Sequence, residues 1–132
     1  LTSGQTIPSA TTTTLILNSE EFDSLGEYDP STGVFTPTLA GYYQISGGVS
    51  FAINSTGLRE ISIYVGAGAG NIATQRNTVV SGGASNSTLL NVSALVYLAS
   101  STTAQINVYQ TSGGDLTAEV TPSTFISIAR VR

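Results

Sequence analysis

Five of the eight carboxylates of this 132-residue chain fall within ten positions: Glu20, Glu21, Asp23, Glu27 and Asp29. Hard oxygen donors gathered on one loop are the set that calcium takes, so these five are the calcium candidates of the chain. Their spacing does not follow the one-loop ligand pattern of an EF-hand, and Asp23 is placed to cap a turn. A structural or solvated role is therefore the first expectation, with calcium the only cofactor considered. Two carboxylates could also serve glycoside hydrolysis, but that reaction needs an acid and a base flanking a sugar cleft, and these lie close together in a chain with no Trp. Serine and threonine are abundant, yet His and Lys are absent and no nucleophile elbow occurs, so a hydroxyl nucleophile has no base. The absence of Cys excludes thiolate catalysis, Cys-based zinc sites and a disulfide framework. The glycine-rich run 66–70 lacks the Lys of a phosphate-binding loop and reads as a hairpin. No enzyme is expected. Arg59, Arg76, Tyr64 and Tyr109 remain as groups with binding chemistry, suited to an anionic or sugar ligand.

Charge narrows the partners. The net charge is −4, and the only cations are Arg59, Arg76, Arg130 and Arg132. Nucleic acid needs a concentrated basic footprint, which four scattered arginines do not supply. The same shortage argues against anionic membrane surfaces, and no apolar run is long enough for a spanning helix. The chain starts at Leu1 with no Met anywhere, which reads as a processed protein or a domain cut from a longer one. Three triplets, Asn54-Ser55-Thr56, Asn86-Ser87-Thr88 and Asn91-Val92-Ser93, are formal glycosylation acceptors. In a chain this rich in Ser and Thr they are expected by accident.

The elements that must position these residues are strands. Turn signals such as Asp29-Pro30-Ser31-Thr32-Gly33, Asn54-Ser55-Thr56-Gly57 and Ser112-Gly113-Gly114-Asp115 punctuate the chain. Between them lie segments rich in Val, Ile, Thr, Tyr and Phe, predicting strands over 14–18, 34–38, 42–53, 60–65, 73–80, 89–98, 104–110 and 124–131. Period 2 is plain where Tyr43, Ile45, Val49 and Phe51 share a face and where Ile61, Ile63 and Val65 share another. Residues 89–98 are long enough for a helix, but Leu90, Val92, Ala94, Val96 and Leu98 alternate without a break, so they read as a strand. A single all-β domain over 1–132 follows, with residues 1–12 as an N-terminal arm or linker, and turns at this spacing imply a sandwich or jelly roll.

Asp23, Tyr28, Phe35, Gly41 and Tyr43 keep a spacing that resembles the signature of the C1q/TNF-like superfamily, in its bacterial and bacteriophage form. Leu17 and Ile45 depart from it, standing where the family usually has Phe, and Gly47 stands where it has Phe or Tyr. The resemblance implies a ten-strand jelly roll of two five-stranded antiparallel sheets. It also implies a trimer, because in such proteins the inner sheets of three protomers pack around a threefold axis. Some relatives bind calcium. The odd positions of 89–98 are too apolar for a freely solvated face, and Tyr42 and Gln44 offer a similar mixed face. Tyr42, Gln44, Leu89, Leu95 and Tyr97 are accordingly the expected trimer interface. The function expected is a non-catalytic trimeric module on an extracellular, cell or virion surface, such as a phage fibre or a bacterial surface protein. It would attach to a glycan or protein receptor. The alternative is a structural self-assembling subunit, a virion decoration, sheath or filament protein, whose partners are its own copies and the capsid or filament beneath.

Overall fold

A computed structural model describes residues 1–19, 23–78 and 86–131. Eleven strands follow one another among them: β1 Gln5–Ile7, β2 Thr13–Thr14, β3 Tyr28–Asp29, β4 Val34–Phe35, β5 Gly41–Phe51, β6 Leu58–Val65, β7 Gly70–Thr78, β8 Thr88–Leu98, β9 Ala104–Gln110, β10 Leu116–Ala118 and β11 Phe125–Val131. They form two antiparallel sheets with no helix among the described residues. Sheet A is centred on β5. On one side β8 pairs with it without interruption from Gly41↔Leu98 to Phe51↔Thr88. On the other, β11 pairs from Phe125↔Gly48 to Val131↔Tyr42, and β10 joins at Ala118↔Phe51, carrying β1 outside it. Sheet B has the order β3-β4-β9-β6-β7, with β2 also pairing β9.

Period-2 alternation determines what faces inward. Tyr43, Ile45, Val49 and Phe51 of β5 and Leu90, Val92 and Leu98 of β8 meet Ile61, Ile63 and Val65 of β6 and Ala104, Ile106 and Val108 of β9. All are buried, and they form one core cluster with Ile7, Leu15, Leu17, Phe35, Leu116 and Ala118.

The predicted strands 104–110 and 89–98 are found within a residue of their expected ends, whereas others differ in length. Residues 14–18 give only the short β2, although Leu15 N–H still bonds Ile106 O at 2.8 Å and Leu15 and Leu17 are buried. Residues 79 and 80, at the end of the predicted strand 73–80, lie outside those described. β1, β3 and β10 have only two or three residues each, too few for a period to register. β3 brings sheet B to six strands, β1 and β10 bring sheet A to five, and the total is eleven. One expectation needs correction. Residues 1–12 are not a free arm: β1 pairs with β10 in full register and Ile7 is completely buried.

The spaced motif residues meet at one corner of the sandwich. Asp23 caps a turn by accepting the Leu25, Gly26 and Tyr28 N–H groups at 3.1, 2.9 and 2.8 Å. Leu17 N–H donates to the Tyr28 hydroxyl at 3.1 Å, and the Phe35 and Tyr43 rings pack edge to face at 5.5 Å. The Tyr43 hydroxyl donates to Leu39 O at 2.7 Å, tying β5 to the loop before it. Gly41 leaves room for Arg130: a Cβ there would stand 2.7 Å from Arg130 Nε, whose guanidinium donates to Ala40 O at 2.9 Å. Gly47 faces the core, and Ile106 fills the space that an aromatic side chain would take, its Cδ1 being 2.7 Å from where a Cβ would be.

Candidate functional site

The outward side of sheet A gathers all five residues expected at an interface. Registers across β8, β5 and β11 give the rows Tyr97–Tyr42–Val131, Leu95–Gln44–Ala129, Ser93–Ser46–Ser127 and Asn91–Gly48–Phe125. None of these twelve residues is charged. Tyr42, Leu95 and Tyr97 stand 57%, 59% and 56% exposed, and Tyr42 and Tyr97 pack edge to face at 5.5 Å. Behind this apolar end lies a hydroxyl and amide stripe, in which Gln44 Nε2 donates to Ser93 Oγ at 2.7 Å and Ser46 Oγ lies 3.1 Å from it. Leu89 extends the face six residues along β8 from Leu95, about 20 Å away. Tyr42, Tyr97, Leu95 and Val131 form the apolar end of this face, and exposed apolar side chains grouped in this way are costly to leave in water. Asn91 is exposed on this face.

Sheet B treats the four Arg and Tyr candidates differently. Arg59 is not a surface group; it is completely buried. Its guanidinium donates to Thr56 O, Leu58 O and Asn54 O at 2.9, 3.0 and 3.3 Å and lies 5.9 Å from the centre of the Phe51 ring. Nε has no partner, and burial pushes the group's pKa below the usual arginine value. The signal was available in the sequence: Arg59 is in phase with Ile61, Ile63 and Val65, so beginning the strand one residue earlier turns it inward.

Arg76 and Tyr109, by contrast, come together. Glu60 of β6 stands opposite both, giving the row Tyr109–Glu60–Arg76 on the outward side of sheet B. Arg76 Nε donates to Glu60 Oε2 at 2.7 Å, and Nη2 bonds the same oxygen. A groove of about 420 Å³ opens here, lined by Thr12, Leu58, Glu60, Arg76, Tyr109 and Thr111. Tyr64 lies on the same face four residues along β6, past an irregularity in the β6–β7 register, and does not line the groove. Glu60 was not among the expected binding residues.

The acidic segment is engaged by its own loop. Glu20 and Glu21 lie outside the described residues. Backbone donors, the Tyr28 N–H foremost, hold the Asp23 carboxyl below its usual range, and the hydroxyl and N–H of Ser31 do the same for Asp29. Glu27 accepts the Thr38 N–H and hydroxyl, both at 2.6 Å. Among the described residues no three acidic side chains converge as metal ligands. A second, larger cavity of about 810 Å³ lies between the inner side of β11 and the β3–β4 corner, lined by Tyr28, Phe35, Ile126, Ile128 and Arg130 among others, and it adjoins Ser19 and Asp23. No helix among the described residues is long and apolar enough to cross a membrane.

No family model matches this chain. It is similar to "Uncharacterized protein L688" of Acanthamoeba polyphaga mimivirus, 35% identical over 104 residues, covering 75% of this chain and 42% of that protein. The chain thus spans less than half the length of the curated relative it matches. Among solved structures it resembles Eiger TNF from S. frugiperda with a TM-score of 0.62 and 12% identity over 80% of this chain and 68% of that one. It also resembles the globular domain of zebrafish complement 1qA with a TM-score of 0.59 and 15% identity over 98% of both. The chain has the C1q/TNF-like jelly-roll fold.

Proposed function

We propose that this chain is a non-catalytic trimeric binding module, assembled through the outward side of sheet A, on an extracellular or virion surface. The observation that carries the reading is the uncharged, apolar-ended face built by Tyr42, Gln44, Leu95 and Tyr97, with Leu89 extending it. Around a threefold axis each side chain near the axis meets its own copies, so a charge there would repel itself three times over; the four rows from Tyr97–Tyr42–Val131 to Asn91–Gly48–Phe125 carry none, and the carboxylate at the Leu89 end, Glu119, accepts the Ser50 hydroxyl at 2.8 Å. Tyrosine suits such a place because its ring buries area while its hydroxyl keeps a partner. The C1q/TNF-like fold supports the arrangement, since the resemblance implies inner sheets packed around an axis. A viral relative supports the virion, as a phage fibre or capsid protein would require, and a bacterial surface protein is the other home of such domains. Three copies convert weak contacts into avidity, which suits glycans or a repeated protein receptor.

Light scattering after size exclusion tests the assembly. We expect three times the 13.5 kDa protomer mass. A monomer would end the threefold reading. Filaments or larger species would place the self-assembling virion subunit ahead of the receptor-binding module.

A further inference from the structure

The groove on sheet B has a definite chemistry. Glu60 is only 13% exposed while Arg76 is 61% exposed, so the carboxylate forms the floor and the guanidinium a wall. Both Arg76 bonds go to Glu60 Oε2. Glu60 Oε1 and Arg76 Nη1 make no hydrogen bond among the described residues, which leaves one acceptor and one donor unused within a neutral pair. Thr111 Oγ1 accepts the Leu58 N–H at 2.9 Å, so its own proton is available to a ligand, and the Thr12 hydroxyl stands at the rim. The half-buried Tyr109 ring flanks Glu60 on the side opposite Arg76.

An anionic ligand would meet the Glu60 carboxylate, and the Arg76 charge is already neutralised by it, so phosphates, sulfates and acidic sugars fit poorly. A cation finds Glu60 already neutralised. What fits is a neutral molecule with adjacent hydroxyls, one donating to Oε1 and the next accepting from Nη1, on a body whose C–H face rests against an aromatic ring. We propose that this groove binds neutral saccharides through a vicinal diol, with Glu60 and Arg76 reading the hydroxyls and Tyr109 supporting the ring. The inference rests on the binding-module reading for its use, because the groove lies on the sheet turned away from the proposed assembly face. Three such sites would stay open in a trimer, and weak single-site affinity would be multiplied by avidity.

The test is a titration of the full chain with the methyl glycosides of glucose, galactose and mannose, followed by NMR of backbone amides and arginine side chains. A methyl sialoside serves as the anionic comparison, and the mass of each sample is measured alongside. At least one neutral glycoside is expected to bind with a Kd of about 1 mM, shifting Glu60, Arg76, Tyr109 and Thr111, while the sialoside shifts none of them. Tyr109→Ala should weaken binding by about tenfold or more. Arg76→Ala, at an exposed position, should weaken it several-fold. The proposal is overturned if no glycoside of the three shifts these residues, if the sialoside binds as well, or if the folded Arg76→Ala protein keeps full affinity. A monomer that still binds would sink the trimer and leave the groove; a trimer that does not bind would do the reverse.

Discussion

Replacing Leu95 by Arg puts the assembly face to a quantitative test. Leu95 is 59% exposed in the single chain and stands opposite Gln44, so a longer polar side chain needs no repacking of the core. The isolated protomer should change by no more than about 0.5 kcal/mol, as surface substitutions usually do. In a trimer the cost is much larger. Full burial of a leucine side chain is worth about 1.5–3 kcal/mol, and the share still exposed here corresponds to about 1–2 kcal/mol per protomer lost on substitution. If three guanidinium groups stand about 8 Å apart near the axis, each pair repels by about 2 kcal/mol at an effective dielectric of about 20. Together these terms oppose assembly by on the order of 10 kcal/mol, equivalent to about seven powers of ten in the association constant. Light scattering should therefore report a monomer with an unchanged circular dichroism spectrum. Thr74→Arg adds the same charge on the exposed outward side of sheet B and should leave the mass of the assembly as it was. An assembly of Leu95→Arg with the mass of the parent would refute the reasoning, since no three copies can bring this face together and tolerate the charge.

Three further outcomes follow from the same geometry. Arg59→Ala removes the guanidinium donors of Thr56 O and Asn54 O, while Leu58 O keeps the Thr111 N–H, and opens a cavity under Phe51, so it should cost about 3–5 kcal/mol in urea denaturation; Arg59→Met keeps the packing and removes a buried charge, so it should cost about 1–2 kcal/mol, and equal losses would mean that the guanidinium's bonds, not its volume, matter. Asp23 and Asp29 have folded-state pKa values below the ordinary 3.8, so in acid the unfolded chain takes up protons first. Their contribution is complete above that value and is lost as pH falls through it towards the folded-state values; Asp23→Asn should flatten this acid limb of a thermal melt, and an unchanged limb would show that the cap is not the source. Because Asp23, Glu27 and Asp29 are engaged by their own loop, a chelator should alter neither mass nor melting temperature; dissociation on chelation would instead make residues 20–29 a calcium site.

Much of this protein could be read without coordinates, and the physical reason differs from one part to the next. The unbroken alternation of Leu90, Val92, Ala94, Val96 and Leu98 defined β8 and the side it buries, because a pleated strand allows its residues only two directions. The same rule identified the odd positions as a face too apolar for water. The spacing of Asp23, Tyr28, Phe35, Gly41 and Tyr43 pointed to the fold through its resemblance to the C1q/TNF-like signature, and their contacts at the corner where β3, β4 and β5 meet explain it. Local chemistry also indicated that Asp23 would cap a turn, since its donors lie two to five residues away.

What depended on distant parts of the chain could not be read this way. β1 and β10 are three residues each and exist only because they pair across more than a hundred positions; nothing local separates Gln5–Ile7 from a free arm. The five acidic residues are neighbours in sequence, but the backbone reaches Asp23, Glu27 and Asp29 from different donors and turns them apart. Arg59 and Arg76 look alike as isolated cations, yet one-residue phase in β6 buries the first, and pairing with β7 sets the second beside Glu60. The row Tyr109–Glu60–Arg76 joins three strands, and only their mutual register creates it. The sequence by itself determined which faces are apolar and which turns close, since these follow from local periodicity and short-range hydrogen bonds. The tertiary structure alone decided which polar groups meet, because that depends on strand register over long separations.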